Sequence, residues 1–302
     1  MGNTPSNVVH EREKVFFNKK YNWVLSYPIA EYDCINSETI GRITNTSEDN
    51  KSEYIDHRNS CPPVLDIQEI PIHTIASVAS LLNYQLIKNK LPIFPPSRLF
   101  IYSNCCYFQD VSSLLSYETV FNSIQNFGFC SEVDWEYNAE NLNCSIPDRH
   151  YKVGEAFKYI KVYNVENQLE IIKRLLQNEM LLLVGIVLYY DLDKVRDQMW
   201  VPDMKIDKKL GGTTGLLVGY IDSRESFIVK FSLGKSFGTS GYLLVPYKYI
   251  LDTFLTPEIY YLDFDKNRVE GFLNQRKKTI SLENKLKEKK FNKPDELESF
   301  FQ

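Results

Sequence analysis

The chain of 302 residues is poor in histidine, methionine and tryptophan, with four, four and three of each. Any imidazole chemistry must come from His10, His57, His73 or His150. No stretch approaches the roughly 18 unbroken apolar residues that a membrane-spanning helix needs. The longest apolar run, Met180 to Tyr190, contains Gly185 and reads as a buried strand. The opening MGNTPSNVVHEREK lacks the hydrophobic region of a secretory signal, so export by that route is not expected. Six cysteines (Cys34, Cys61, Cys105, Cys106, Cys130 and Cys144) are too sparse for a small disulfide scaffold, and none forms a CxxC pair that would suggest zinc. Free buried thiols are expected. A formal net charge of −4 argues against a general nucleic-acid binder. There is no internal repeat.

What is present is ordinary for a globular chain, 43% hydrophobic and 25% charged, with 20 Tyr and 18 Phe to fill a core. Residues 1–20 are polar and read as a flexible arm. The run NTSEDNKSE, Asn45 to Glu53, reads as an exposed loop. From Thr74 to Lys88, Ile75, Val78, Ala79, Leu82 and Leu86 recur at spacings of three and four, which predicts a helix. Ala76, Leu81 and Ile87 lie on its other faces, so it should be buried on most sides. A second helix is expected from Ser97. A third should start after Ser116 as N-cap and stop at Gly128. Glu166 to Asn178 reads as an amphipathic helix. Strands then dominate, over Leu181–Tyr189, Thr214–Ile221, Ser226–Phe231 and Tyr242–Pro246. Helices first and strands later make an α+β chain. The segment from Lys266 to the end is strongly charged, about +4, which leaves about −8 on the body.

Five stretches occur in a telling order: DHRNSCPPVLDIQ from Asp56, FPPSRLFIY from Phe94, SYETVFNSIQNFGFCSEVDWEYN from Ser116, GGTTGLLVGYID from Gly211 and FSLGKSFGTSGYLLVPYKYI from Phe231. Together they resemble the papain-like cysteine peptidases, especially the non-secreted branch found in microbes and large DNA viruses. The likeness spans roughly residues 54–264, with a weaker echo in YNWVLSYPIAEYD. It implies a helical part over about 54–160 with a buried central helix, and a β-rich, barrel-like part over about 161–265. Together with residues 21–53 these form one domain, 21–265, followed by a charged tail, 266–302.

The same likeness puts His73 where the family has its nucleophilic cysteine, Thr213 where it has the general-base histidine after two glycines, and Phe231 where it has the asparagine that orients that histidine. The glutamine that donates to the oxyanion falls on Glu69, or on Gln68 if the register slips by one. The family's mechanism needs a thiolate held by an imidazolium near a helix N-terminus. A threonine hydroxyl takes no proton at neutral pH, and phenylalanine accepts no hydrogen bond to fix a tautomer. A carboxylate at Glu69 would repel the oxyanion. Glycines that serve turns and the groove persist, among them Gly211, Gly212 and Gly234. The expectation is a pseudopeptidase that needs no cofactor and acts as a scaffold or binds protein partners. His73 near Glu69, with Asp66 close by, does not make a known metal pattern. His73 at a helix start is expected to be neutral. The alternatives are a peptide-binding module that does not cut, with Phe231 and Glu69 lining its groove, or an enzyme whose nucleophile has moved to Cys105 or Cys106. Cys61 and Cys130 are expected to serve structure.

Two further features stand apart. MGNTPS fits the acylation pattern M-G-x-x-x-[ST], with Gly2 as acceptor and Ser6 in place. One myristoyl chain binds membranes only marginally, and the basic tail could add the second contact. The abundance of Asn, Lys, Ile and Tyr is what an AT-rich genome encodes, as in many large DNA viruses. A cytoplasmic or virion-associated place, with a membrane contact through Gly2, follows as an expectation.

Overall fold

A buried helix organises the molecule because its apolar residues appear on almost every face. The computed structural model describes residues 23–26, 31–44, 52–67, 70, 72–91, 94–105, 115–275 and 278. In it, helix α2 spans His73–Lys88, after a short α1 at Ile40–Ile43. Ile75, Val78, Ala79, Leu82 and Leu86 are all buried, and the small Ala76 and Ser77 allow neighbours to come close. Ile87 departs from expectation and is 37% exposed.

Two helices pack beside α2: α3 (Arg98–Cys105) and α4 (Tyr117–Phe127). Helix α4 has the ends that its sequence predicts. The Ser116 side chain accepts from Thr119 N, and Gly128, at φ 66°, donates its N–H to Ile124 O. Helix α5 covers Asp148–Gly154 and α6 covers Leu169–Gln177. Helix α6 begins three residues later than Glu166, because strand β3 (Ile160–Val165) runs up to it and Glu166 N bonds to Ile35 O. Tyr247–Leu251 forms a last short helix, α7.

The sheet has eight strands. The others are β1 (Asp33–Ile35), β2 (Tyr54–Asp56), β4 (Leu182–Leu188), β5 (Gly211–Ile221), β6 (Ser226–Lys230), β7 (Tyr242–Pro246) and β8 (Glu258–Phe264). Their order is β1-β3-β8-β4-β5-β6-β7, with β2 added against β5. All pairings are antiparallel except β1 with β3. Every residue of β4 is buried, as the apolar run from Met180 requires of a strand covered on both faces. The long β5 pairs with β4 through Leu217. It then shifts register at Leu217/Gly219 and continues along β6 and β2, so one strand serves both ends of the sheet.

Helix α2 lies on this sheet. Ser77 Oγ and Thr214 Oγ1 of β5 are 2.9 Å apart, and Gln85 Nε2 donates to Leu262 O of β8 at 3.0 Å. Aromatic rings fill the angle between α4 and β8, with Phe121 edge-on to Tyr260 at 5.2 Å between centroids. Residues 266–275 are helical, and Val269 among them is fully buried, so the start of the charged tail is docked on the domain. The five cysteines whose state is described are free. Cys105 and Cys130 are buried, but Cys34 and Cys144 are exposed, contrary to the expectation of buried thiols throughout. No helix among the described residues is long and apolar enough to cross a membrane.

Candidate functional site

The segment that leads into α2 is stitched to the segment that follows β6. Asp66 bridges antiparallel to Leu233, Ile67 N donates to Ser232 O, and Gly234 N donates to Leu65 O. Gly234 has φ +78°, and a Cβ there would lie 2.7 Å from Asp66 Oδ2, so only glycine fits this crossing. Lys230 reaches back beneath the same segment, its Nζ donating to Pro62 O at 2.6 Å and Pro63 O at 3.1 Å. Arg98 holds the segment from the other side. Its guanidinium pairs with both carboxylate oxygens of Glu132, at 2.8 and 2.6 Å, and donates Nη1–H to Asp66 O. It also stacks 3.7 Å from the ring centre of Tyr137, whose hydroxyl donates to Ile67 O.

This frame delivers His73 to the first position of α2, where it is 2% exposed. Ile72 precedes it as the N-cap and offers no capping side chain. The start of β5 lies alongside. Thr74 Oγ1 donates to Leu115 O, Leu115 bridges to Trp23, and Trp23 N donates to Gly212 O. Gly212 does not face open space. A Cβ on it would fall 2.4 Å from Trp23 Cε3, and one on Gly185, across the ladder in β4, would fall 2.2 Å from Trp23 Cζ2. The two glycines make the slot that the indole fills.

Thr213 points to the opposite face of the strand from Gly212. It is fully buried and its Oγ1 has no hydrogen-bond partner. Gly215 shares that face, and the Phe231 ring approaches within 3.5 Å of where its Cβ would be. Phe231 is 1% exposed and packs edge-on to Phe237, 5.7 Å between centroids. It belongs to the core rather than lining an open groove. Beside this ring pair opens a cleft of about 590 Å³ lined by Asp193, Val195, Arg196, Asp197, Leu233 and Phe237 among others. The structure thus brings Thr213 and Phe231 onto one face of β5, and sets the start of α2 beside the start of that strand. Glu69, Gln68, Gly2, His10 and Cys106 lie outside the described residues.

Burial shifts several other titratable groups. Burial pushes the Cys61 thiol up to about 11, against a smaller opposing pull from Lys230. Burial likewise pushes Cys130 up to about 12. Burial brings the Lys230 ammonium down to about 8. Cys105 is fully buried, its Sγ 3.8 Å from Thr119 O. His57 Nε2 lies 2.7 Å from Leu176 O, so that nitrogen carries a proton. Burial lowers His150, and Arg149 beside it adds to the shift. Among the described residues, no three His, Cys, Asp or Glu side chains gather as metal ligands would.

Trp23, Lys230 and the Arg98–Glu132 pair went unnoticed at the level of sequence. The Arg98–Glu132 pair sits inside the FPPSRLFIY and SYETVFNSIQNFGFCSEVDWEYN motifs, and for Lys230 the available signal was a lone Lys in the apolar SFIVKF.

No family model matches the chain. It is 28% identical over 181 residues to an uncharacterized peptidase C1-like protein of Acanthamoeba polyphaga mimivirus. The match covers 55% of this chain and 58% of that relative's length, so the chain spans less than two thirds of it. Among solved structures, it resembles xylellain, a cysteine protease from Xylella fastidiosa, with a TM-score of 0.71 and 23% identity. That match covers 82% of this chain and 97% of xylellain. It also resembles the digestive procathepsin L 3 of Tenebrio molitor larval midgut, with a TM-score of 0.60 and 16% identity over 84% of this chain and 78% of that one. A central helix laid on a largely antiparallel sheet, the order of the sequence motifs and these neighbours agree: the chain has the papain-like, C1-like cysteine peptidase fold.

Proposed function

We propose that this protein is a non-catalytic pseudopeptidase, a papain-like fold that serves as a scaffold or protein-binding component. The observation that carries the proposal is the chemistry at three positions. His73 stands at the head of the central helix, where the family motif has its thiol. Thr213, where the motif has its base, is sealed in the core with a hydroxyl that meets no partner. Phe231, where the motif has its orienting amide, is packed against Phe237. Among the described residues, no thiol stands beside an imidazole at these three positions. The kinship with a mimivirus protein supports a place among the proteins of a large DNA virus, in its particle or in the infected cytoplasm. The cleft beside Phe237 offers a surface for an extended segment of a protein partner.

The competing reading, a peptidase with a displaced thiol, moves the nucleophile to Cys105 or Cys106; Cys105 is fully buried, and Cys106 lies outside the described residues. Burial drives Cys61 and Cys130 upward, away from the thiolate that such chemistry needs. Treatment with a thiol-directed epoxide of the kind that alkylates active cysteine peptidases separates the two. The intact mass should be unchanged at neutral pH. Rapid addition of one inhibitor at a single cysteine would refute the proposal.

A further inference from the structure

The connection between β4 and β5 carries an unusually apolar exposed surface among the described residues. Over Trp200 to Leu210 it exposes Trp200 by 46%, Met204 by 48%, Ile206 by 79% and Leu210 by 54%. Scattered single apolar residues are normal on a surface, but a run of this density on one loop is not. The loop is not loosely hung. At its base Tyr190 stacks on Trp200, 3.8 Å between centroids, and donates its hydroxyl to Trp200 O. Met199 N donates to Leu244 O, and Leu210 N donates to Leu188 O at the end of β4.

A second loop rises from the same strand end. Leu255 O accepts from Val187 N, one residue from Leu188, and Phe254 beside it is 78% exposed. Two separately anchored loops therefore present bulky apolar side chains at one end of β4.

Charge identifies what covers them. Lys205, Lys208 and Lys209 are all exposed and interleave with the apolar tips. The two carboxylates between Trp200 and Leu210 are turned partly onto the loop's own backbone. Asp203 Oδ1 accepts from Lys205 N, and Asp207 Oδ2 accepts from Asp203 N. Protruding apolar tips with a tryptophan at their base and lysines between them suit the interface of an anionic bilayer. There the side chains enter the acyl boundary while the ammonium groups stay at the headgroups. A protein groove would instead be matched by a recessed or flat apolar patch with a polar rim.

We propose that the Trp200–Leu210 loop, with Phe254, is a docking surface for anionic lipid membrane. This contact does not depend on acylation of Gly2 and would supply the second anchor that a single acyl chain needs.

The test is flotation of the full chain, made in a bacterial host that does not acylate it, with vesicles of phosphatidylcholine mixed with phosphatidylserine. The wild type should float with these vesicles and bind those of phosphatidylcholine alone more weakly. The double variant Met204→Asp, Ile206→Asp should lose about tenfold or more of the binding, with its melting temperature unchanged because both side chains face solvent. The pair Lys208→Glu, Lys209→Glu should abolish the preference for anionic vesicles and the sensitivity to salt. Failure of the wild type to float would overturn the proposal, as it would if the loop served a protein partner instead. So would flotation that both double variants leave untouched, which would assign the contact to another part of the chain.

Discussion

At the scale of single residues, His73, Thr213 and Phe231 carry the functional reading, and each is bound to the fold in a different way. Phe231 is the most costly to change. Its ring is 1% exposed and packed against Phe237 and over Gly215. Replacing it with the asparagine of the family motif leaves a cavity and buries an amide without arranged partners. Phe231→Asn should lower the unfolding free energy by about 3 to 5 kcal/mol in a urea titration, and a loss below about 1 kcal/mol would show that the site can readily relax. On the proposed reading, the position that fixes a tautomer in the family pattern is held by a ring that stabilises the core. Motif order alone proposes these three positions. Their surroundings were not legible in it. Gly212 under Trp23 depends on a contact between segments almost 200 residues apart, which no local pattern encodes.

At the scale of elements, the approach to α2 is fixed by a clamp rather than by the helix itself. Arg98 at the head of α3 joins Glu132, Asp66 and Tyr137 in one cluster. Arg98→Met removes the cation and leaves a half-buried carboxylate with a single backbone donor, Arg98 N. Such a loss typically costs about 3 kcal/mol, and equilibrium unfolding would read it. The companion Glu132→Gln should be milder, because the amide oxygen still accepts one of the guanidinium bonds. Helices with strong signals were read well: the spacing of apolar residues placed α2 to within one residue, and Ser116 and Gly128 marked both ends of α4. Strands β1, β2, β3 and β8 were not anticipated, the longer two being β3 and β8. Each of these two pairs with the other from a distance of about a hundred residues, and neither has a turn signal tying it to a neighbour in sequence. The start of α6 was placed early because Glu166 continues the strand pairing, its N–H donating to Ile35 O.

At the scale of the whole molecule, buried charge sets how stability follows pH. Lys230 titrates near 8 in the folded protein because burial disfavours its ammonium, against an ordinary value of 10.5. Between those values the unfolded chain binds more protons, so stability should rise with pH across that window. The rise attributable to Lys230 is about 3 kcal/mol, and it is cleanest up to about pH 9, where the buried Cys61 and Cys130 thiols begin to oppose it. Beyond that the buried tyrosines, whose values burial raises, also begin to count in the opposite direction. Lys230→Met should flatten the slope in chemical unfolding between about pH 8 and 9, and an unchanged slope would mean that the ammonium is better solvated than its burial implies. Asp56 acts at the acid end. Burial works against its carboxylate, but hydrogen bonds from Arg58 outweigh that and hold it at about 2. Its contribution is complete above its ordinary 3.8 and is lost as pH falls toward about 2.

The central claim is that a peptidase fold persists here without peptidase chemistry. The most direct measurement is steady-state hydrolysis of a broad library of fluorogenic peptides by the purified full chain, under reducing conditions and across neutral and mildly acid pH. No turnover above the uncatalysed rate is expected, either from the wild type or from a variant with Cys61, Cys105, Cys106 and Cys130 replaced by serine. Sustained hydrolysis by the wild type that vanishes on changing any one of those cysteines, or His73, would contradict the claim.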